Sequence, residues 1–344
     1  MKKGLLWVLL ALCTLTGCQK APEPVEATTF AMDTVMDFTL YGDWDRERAK
    51  EVRDWMLERL GWLDGKLSAT KEGSDVGQIN RAGGESVEVG TPTAELLSQS
   101  LELCEVTGGA LDITAYPAVK AWGFTEEEHR VPSPAELEAL GKKIDYTAVK
   151  LEGNTVTLPA GMEIDLGAVA KGYAGDQLAA TARESGVSSV LLDLGQSTIM
   201  AVGTKPGGRP WRIGIVDPAR PGSYFAVVEL QDMAMGTSGG YQRYFEQDGV
   251  TYWHILDPDT AAPARSGLSS VTVVSPSALT CDGLSTALFV MGLEEGAQFW
   301  RDHPELEFDA LFITEEGQIL CTAGLEDRTS LAEGYEDREV TVLR

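Results

Sequence analysis

The stretch EIDLGAVAKGYAGDQLAA, residues 163–180, determines how the rest of the chain is interpreted. It begins apolar and extended at Ile164, turns at Gly167 and continues as an alanine-rich helical pattern. Asp165 stands just before the turn, and Lys171 stands about one helical turn inside the helix. A helix N-terminus presents unpaired N–H groups and a positive dipole end, where phosphates commonly bind. The pattern therefore predicts a strand–turn–helix that can hold an anionic ligand.

Two interpretations of this stretch are open. In the first, small residues at Gly167, Gly172 and Gly175 allow another backbone or a ligand to come close. Lys171 then adds a positive charge beside that ligand. In the second, the stretch is ordinary, with Asp165 as a cap and Lys171 in solvent, because short turns that contain glycine are common.

A second stretch, SALTCDGLSTALFVMG at residues 277–292, has a pair of oxygen-bearing side chains at helical spacing. Asp282 and Thr286 are four residues apart, so on a helix they face the same way. A carboxylate and a hydroxyl are oxygen ligands of the kind that Mg²⁺ prefers. The alternative is that Asp282 only caps the helix and Thr286 bonds its own backbone.

Further blocks precede these two stretches or lie between them. They are AMDTVM (31–36), KLSATKEGSDVGQIN (66–80), GGALDIT (108–114), AWGF (121–124), TSGGYQRYF (237–245) and HILDPDTAAP (254–263). In this order the blocks resemble the ApbE family of flavin transferases, from about residue 30 to about residue 296. The resemblance implies an α+β, ApbE-like (T-fold-like) fold with a mainly antiparallel sheet and flanking helices. Helices and adjacent strands that follow one another without strict βαβ alternation also indicate the α+β class.

The resemblance also implies an activity, that of an FAD:protein FMN transferase. In this reaction a threonine or serine hydroxyl of an acceptor redox protein takes the FMN part of FAD, and AMP leaves, with Mg²⁺ required. Two alternatives are an FAD pyrophosphatase, which uses water as the acceptor and gives FMN and AMP, and a non-catalytic FAD-binding lipoprotein. The sequence does not identify the acceptor protein.

Residue roles follow from the same resemblance. It places Mg²⁺ on Asp282, Thr286 and the backbone carbonyl of Ala168. It makes His254 the catalytic base, and Asp257, three residues later, is a group that could orient the imidazole. The residues implied to contact the cofactor are Met32, Thr70, Ala110, Leu111, Asp112, Asp165, Lys171 and Leu256.

At four positions the implied contacts need qualification. Asp33 stands where the family usually has glycine, and Thr70 stands where it often has tyrosine. Gly195-Gln196 replaces a usual pair of glycines. Asp112 either accepts hydrogen bonds from an adenine amine or a ribose hydroxyl, or caps the short helix predicted near Ala115.

The N-terminus reads as a targeting segment. Lys2 and Lys3 precede an apolar run, and LTGC at 15–18 resembles a bacterial lipobox. We therefore expect a lipoprotein signal peptide over residues 1–17, lipidation of Cys18, a disordered tether over 18–28 and an ApbE-like domain over 29–344. The expected location is the extracytoplasmic face of the cell membrane. The alternatives are a plain secretory signal or a membrane helix, although the apolar run is shorter than the ~20 residues that span a bilayer.

Charge and cysteine content exclude some functions. The 28 basic and 53 acidic residues give a formal charge of −25, which works against nonspecific nucleic-acid binding because an acidic surface releases no counterions. The three cysteines beyond Cys18 show no CxxC or zinc spacing, so no thiol chemistry is assigned. They are Cys104, Cys281 and Cys321.

Hydrophobic periodicity predicts the main elements. The predicted elements are a strand over 29–41, helices over 44–64 and 92–107, a surface insertion over 125–148 with His129 in solvent, a hairpin over 149–158, strands over 189–195, 199–203, 211–218 and 224–230, a hairpin over 311–322 and a strand over 339–343. The four successive strands predict an antiparallel portion of sheet.

Overall fold

The computed structural model describes residues 23–41, 46–126, 128–220 and 222–344. The predicted signal peptide and the predicted lipidation site Cys18 lie outside these ranges. Within them, every helix is too short or too polar to cross a bilayer.

Helices in the described residues lie mostly on one side of a large sheet. They are α1 (Arg46–Leu67), α2 (Asp75–Arg81), α3 (Thr91–Val106), α4 (Tyr116–Ala121), α5 (Pro134–Gly141), α6 (Ala170–Glu184), α7 (Ala278–Met291) and α8 (Leu293–Asp302). Short 3₁₀ turns occur at Tyr146–Ala148, Pro304–Leu306 and Ala323–Leu325.

The strands form one large sheet and several small ones. In chain order they are β1 (Val25–Ala31), β2 (Thr34–Leu40), β3 (Val87–Glu88), β4 (Lys150–Glu152), β5 (Thr155–Thr157), β6 (Ser189–Asp193), β7 (Thr198–Gly203), β8 (Trp211–Val216), β9 (Tyr224–Leu230), β10 (Met233–Gly239), β11 (Tyr244–Gln247), β12 (Val250–Trp253), β13 (Leu256–Asp257), β14 (Ala262–Pro263), β15 (Leu268–Ser275), β16 (Asp309–Thr314), β17 (Ile319–Thr322), β18 (Thr329–Leu331) and β19 (Val340–Leu343).

The large sheet has nine strands among the described residues, in the order β1-β2-β6-β7-β10-β15-β16-β17-β19. Neighbouring strands are antiparallel except for β17 and β19, which are parallel. Smaller sheets are β18-β9-β8 and β3-β5-β4, and β11–β12 and β13–β14 form separate hairpins. This confirms the predicted α+β class with a mainly antiparallel sheet and flanking helices.

The large sheet is covered on both faces, which gives three layers. Side chains alternate along each strand, so β16 turns Phe312 toward the helices and Leu311 toward the small sheet β18-β9-β8. β15 does the same with Val273 and Val274. The larger core lies between the sheet and helices α1, α3, α6 and α7, and therefore beneath the 163–180 stretch.

The N-terminal part of the fold differs from the prediction in two ways. The single strand predicted over 29–41 is two strands, because Met32 and Asp33 turn the chain with left-handed φ values of 48° and 58°. The tether predicted over 18–28 extends too far, since β1 already begins at Val25. Val25 is buried and pairs with Leu40, so hydrophobic burial fixes residues that composition alone presented as a linker.

Most of the other predicted elements are confirmed with small shifts at their ends. The strand predicted at the start of the 163–180 stretch is wrong, because residues 162–166 pair with no strand and lead through a turn into α6. Helices α1 and α3, the hairpin β4–β5, the strands β6 to β9 and the elements β16, β17 and β19 all occur where expected. The antiparallel portion is confirmed in the pairs β6–β7 and β8–β9. In the predicted insertion, α5 has no buried residue.

Candidate active site

The site begins where helices α6 and α7 cross near their N-termini. A Cβ on Gly172 would lie 2.3 Å from the carbonyl oxygen of Ala278 and 2.6 Å from the Cα of Leu279. Only glycine permits this approach, because any side chain there would overlap backbone atoms. The interpretation that glycines in the 163–180 stretch admit another backbone is confirmed at Gly172.

Each of the two helices caps the other. The Oδ2 of Asp282, on α7, accepts a hydrogen bond from the backbone N–H of Gly172 in the first turn of α6 at 2.7 Å. The carboxylate of Asp176, on α6, accepts from the backbone N–H groups of Ala278 and Leu279 at 2.7 and 3.1 Å. Val169, at the N-cap of α6, makes no side-chain cap bond. The crossing is therefore fixed by buried charge-assisted hydrogen bonds at both helix N-termini.

A small polar pocket of ≈ 70 Å³ opens at this crossing. Five of the predicted site residues line it, namely Ala168, Lys171, His254, Asp282 and Thr286. Other residues that line it are Gly167, Ser197, Thr198, Thr237, Ser238, Gln242 and Ser285. The predicted metal ligands and the predicted base thus meet in one place, although they come from three distant parts of the chain.

Asp282 is a buried carboxylate with both oxygens in use. Its Oδ1 accepts from the hydroxyl of Thr198 at 2.8 Å, in addition to the Gly172 contact at Oδ2. Burial raises the pKa of Asp282 to about 6, and the nearby positive charge of Lys171 opposes that rise. The alternative that Asp282 only caps its own helix is wrong, because it bonds the N-terminus of α6 and lines the pocket. The cap of its own helix is Ser277.

Lys171 lies in the pocket and not in solvent. Its ammonium donates to the hydroxyl of Ser197. Burial lowers the pKa of Lys171, and the charge of Asp282 partly offsets this effect. The ordinary interpretation of the 163–180 stretch, with this lysine in solvent, is therefore wrong.

Thr286 takes part in a small cluster of hydroxyls. Its Oγ1 donates to the backbone carbonyl of Asp282 at 3.2 Å and lies 3.1 Å from the Oγ of Ser238. Ser238 in turn lies 2.9 Å from the Oγ of Ser285. Thr237 and Ser238 line the pocket from strand β10.

His254 is held at the pocket wall by the backbone of Arg243. Its Nδ1 lies 3.2 Å from the Arg243 carbonyl oxygen, which can only accept, so Nδ1 carries the proton and Nε2 has a free lone pair. Burial and the positive charge of Arg243 lower the pKa of His254 to about 4. The imidazole is therefore neutral near pH 7 and can accept a proton.

The expectation that Asp257 orients this imidazole is wrong. An Asp257 carboxylate oxygen accepts instead from the backbone N–H of Asp259 at 2.9 Å, within its own turn. The chain bends at His254, and the backbone carbonyl of Arg243 orients the ring instead.

Asp165 lies beside Gly167 of the pocket wall, and Met32 packs against the main core. Asp165 accepts from the backbone N–H of Gly167 at 3.1 Å, and desolvation raises the pKa of its carboxyl. The negative charge of Asp33, in the β1–β2 turn beside Met32, contributes to that rise. Asp33 is left-handed, the conformation that a glycine at its position would adopt at lower cost.

The other predicted cofactor contacts lie outside the pocket. Thr70 is exposed, and its hydroxyl lies 3.0 Å from that of Ser68. Leu111 is buried in the main core, with Ala110 packed against it. Leu256 belongs to a separate buried cluster with Trp122. Their predicted roles stay predictions.

Asp112 has both carboxylate oxygens occupied within the chain. One accepts from the backbone N–H of Thr114 at 2.7 Å and the other from that of Tyr146 at 3.0 Å. It is not the cap of α4, whose N-cap Ala115 has no side-chain hydrogen bond. The carboxylate joins the 108–114 loop to the loop after α5.

Sequence reasoning missed several residues at this site. Ser197 and Thr198 bond Lys171 and Asp282 from the start of β7, and Arg243 holds His254. Asp176 caps α7. A single hydroxyl or carboxylate forms no spacing pattern that would mark it as a site residue. The one sequence signal was that Ser197 lies next to the unusual Gly195-Gln196 pair.

The donor set at the crossing fits a hard cation. No group of three or more His, Cys, Asp or Glu side chains capable of holding a metal occurs among the described residues. Asp282, Thr286 and the Ala168 carbonyl supply one charged and two neutral oxygens instead. Mg²⁺ commonly binds through one or two carboxylates and completes its shell with water and substrate phosphates, so this set suits it.

A larger groove of ≈ 630 Å³ lies elsewhere, near Trp300, Arg301 and Arg328. None of the predicted site residues lines it. The size of this groove does not by itself indicate a function. The groove is an open depression in which surface arginines lie with Glu307 and Asp309.

The fold and the pocket define an α+β protein with an enzyme-like site, in which a carboxylate, an ammonium and a neutral imidazole surround a small polar space. The model of the ApbE family matches residues 32–312. Among curated proteins, the FAD:protein FMN transferase of Treponema pallidum is 36% identical over 280 residues, which are 76% of each chain. That of Vibrio cholerae is 34% identical over 300 residues, 85% of this chain and 88% of the other.

Solved structures agree. A crystal structure of the ApbE protein from Thermotoga maritima has a TM-score of 0.80 and 35% identity, and covers 86% of this chain and 96% of that one. The apo flavinyl transferase ApbE of Pseudomonas stutzeri has a TM-score of 0.77 and 29% identity, and covers 93% and 98%. The chain belongs to the ApbE family.

Proposed function

We propose that this chain is an FAD:protein FMN transferase. The observation that carries the proposal is the meeting of Lys171, His254, Asp282 and Thr286 in one pocket, with Ala168 also among the lining residues. The names of the relatives support it, since the curated proteins from Treponema and Vibrio are FAD:protein FMN transferases.

In the proposed reaction a threonine or serine hydroxyl of an acceptor protein attacks the FMN phosphorus of FAD. A new O–P bond forms, the P–O bond to the AMP phosphate breaks, and AMP leaves with the electron pair. The hydroxyl proton passes to Nε2 of His254. The low pKa of His254 keeps this nitrogen unprotonated at neutral pH, and the Arg243 carbonyl fixes the required tautomer.

The diphosphate is held by positive charge and by N–H groups. Lys171 and the first turn of α6 present an ammonium and a helix N-terminus to it. Mg²⁺, held by Asp282, Thr286 and the Ala168 carbonyl, would neutralise phosphate charge when bound. Thr198 and Gly172 orient the Asp282 carboxylate toward that role by occupying one lone pair on each oxygen.

The test is incubation of the protein with FAD, Mg²⁺ and a library of short synthetic peptides, each with a single threonine. We expect covalently flavinylated, fluorescent peptides and one AMP for each. FMN and AMP without labelled peptide would favour a pyrophosphatase. Tight FAD binding with no turnover, unchanged when Asp282 or His254 is replaced by alanine, would favour a binding protein.

We further propose that the chain is lipid-anchored through Cys18 at the extracytoplasmic face of the cell membrane. The LTGC at 15–18 supports this. Metabolic labelling with a radioactive fatty acid tests it, and Cys18→Ser should abolish labelling and release the protein into the soluble fraction. Cys13→Ser, five residues earlier, is the matched control and should keep the label. Labelled Cys18→Ser protein would contradict the proposal.

A further inference from the structure

The hairpin β11–β12 is a two-stranded sheet of its own and lies in the chain between Gln242 and His254, which both line the pocket. Asp248 and Gly249 close it with left-handed φ values of 53° and 77°, a two-residue turn that matches strand twist. Its open end carries Arg243 before β11 and His254 after β12. The backbone N–H of His254 donates to the carbonyl of Arg243 at 3.1 Å. The proposed catalytic base therefore lies directly at the open end of the hairpin.

The phase of the hydrogen bonds shows which backbone groups point outward. Residues 243 and 254 form a hydrogen-bonded pair, and such pairs alternate with non-bonded pairs along an antiparallel ladder. Tyr244 with Trp253, and Glu246 with Thr251, are therefore the non-bonded pairs. Their N–H and C=O groups point away from the hairpin, toward its two edges.

The two edges differ. On β12 the guanidinium of Arg265 donates to the outward carbonyl of Thr251, and the same group lies 4.1 Å from the Trp253 ring. On β11, in the part of the chain that the structure describes, no backbone group partners the outward groups of Tyr244 and Glu246. Tyr244 is 51% exposed. The β11 edge is therefore a free strand edge.

The hairpin is nevertheless held firmly in place. Phe245 stacks on Tyr252 across the strands with ring centroids 5.2 Å apart, and Tyr252 lies 5.2 Å from the buried Trp122. On the other face, Trp253 packs edge-on against Phe289 of α7. A free edge on a hairpin that is packed on both faces is a preorganised template for another strand.

We propose that the outer edge of β11 binds an extended segment of the acceptor protein as an added strand, and so delivers its hydroxyl to His254. This inference rests on the proposed transferase function. An added strand lies ~4.8 Å from its neighbour. Beside Tyr244 it therefore runs toward Arg243, whose carbonyl faces β12 and holds the imidazole on that side. Main-chain hydrogen bonds give such binding with little demand on sequence.

A second copy of this chain is the less suitable occupant. Two β11 edges paired around a twofold axis would bring together two strands that each carry Glu246 and are followed by Asp248. Like charges at close range oppose that pairing, and both copies carry a formal charge of −25.

The first test is Glu246→Pro against Thr251→Pro. Each removes one outward N–H and leaves the hairpin's own hydrogen bonds intact, because both residues belong to a non-bonded pair. With the single-threonine peptide library as acceptor, we expect Glu246→Pro to lower the labelling rate about tenfold, the effect of losing one or two backbone hydrogen bonds. Thr251→Pro should stay within about twofold of wild type, since its edge is already covered.

FAD affinity of both variants, measured by flavin fluorescence, shows whether the pocket is intact. Loss of labelling in Glu246→Pro with FAD bound as in wild type supports the inference. Equal loss in the two variants, or none in either, overturns it. If wild-type protein labels no peptide at all, the proposed transfer itself fails.

A second test does not depend on the folding of a variant. The best library peptide is resynthesised with single backbone N-methyl groups at successive positions. An added strand bonds through every second residue, so labelling should fall at alternate positions and persist between them. A uniform tolerance, or loss only at the threonine, would overturn strand addition. So would light scattering that shows Glu246→Pro converting a dimer to a monomer while labelling is unchanged.

Discussion

The α6–α7 crossing lines the pocket directly, whereas the β11–β12 hairpin reaches it only through the flanking residues Gln242 and His254, and the two regions are built differently. The crossing is buried, and its carboxylates bond backbone N–H groups of the facing helix. The hairpin is peripheral, and its Tyr244 and Val250 are exposed. At its open end the backbone carbonyl of Arg243 holds the imidazole of His254. The side that would hold a charged diphosphate is thus buried and hydrogen-bonded, whereas the side that would meet a protein acceptor is exposed.

This difference has a physical reason. Charge stabilisation works best when the charged groups are fixed before the ligand arrives, because no reorganisation is then needed. An acceptor protein, in contrast, needs accessible surface and free backbone groups. Asp282 is buried and Lys171 is partly buried, so they are charged groups fixed before the ligand arrives. His254 follows a separate hairpin, so it lies next to the accessible surface that an acceptor protein needs.

The largest expected effect comes from Asp282→Asn. The substitution keeps the side-chain shape but removes the negative charge, so we expect flavin transfer to fall about a hundredfold or more. Asp176→Asn is the matched control, because Asp176 also caps a helix at the crossing but does not line the pocket. It should cost about 1–2 kcal/mol of unfolding free energy and keep the activity of the folded protein. Equal activity losses in the two variants would show that Asp282 acts only as a cap.

The next effect is that of His254→Gln on the hairpin side. Loss of a general base should slow transfer about a hundredfold and leave the dissociation constant for FAD unchanged. Single-turnover kinetics and FAD titration measure the two quantities. A variant that loses FAD affinity but keeps its turnover would show that His254 binds the cofactor and is not the base.

Gly172→Ala tests the closeness of the crossing. The new Cβ would meet backbone atoms of Ala278 and Leu279 at 2.3 and 2.6 Å, so the helices must separate, at a cost of about 3 kcal/mol in unfolding free energy. Gly61→Ala in α1 is the control, because its Cβ would meet nothing within 4 Å. Denaturant unfolding should show a gain of up to about 1 kcal/mol for this control. An unchanged unfolding free energy for Gly172→Ala would mean that the two helices can separate at the crossing without cost.

The last expected effect is a pH dependence of stability. The folded-state pKa of His254, about 4, lies below its ordinary value of 6.5, so the unfolded chain binds the proton first as pH falls. The unfolding free energy should therefore decrease from pH 6.5 to about 4 and level off below that, with no contribution at pH 7. His254→Gln should lack this slope. An identical pH profile in both proteins would show that the imidazole titrates normally.

The parts of the fold that could be predicted are those with local patterns. Helix α7 and the shared face of Asp282 and Thr286 follow from a four-residue spacing that any helix imposes. The β1–β2 hairpin could not be predicted in the same way, because Asp33 hides a turn that a glycine would have shown. Burial of Val25 against Leu40 then overrode the linker-like composition around it.

The site residues likewise fall into those that sequence motifs predicted and those that they did not. The order of the motifs pointed to Ala168, Lys171, His254 and Asp282, and all four line one pocket. The predicted hydrogen-bond partner of His254 was wrong. Asp257 was chosen because it is near in sequence, but strand pairing places the Arg243 carbonyl beside the ring. Ser197 and Thr198 carried no pattern that could mark them.

The sequence by itself determined the class of fold, the family and the chemical groups at the site, since these depend on residue types and on spacings of a few residues. Only the tertiary structure decided which groups meet. The bond between Gly172 and Asp282 joins residues 110 apart, and that between Thr198 and Asp282 joins residues 84 apart. Such contacts depend on how the sheet places whole helices against one another, which no local pattern encodes.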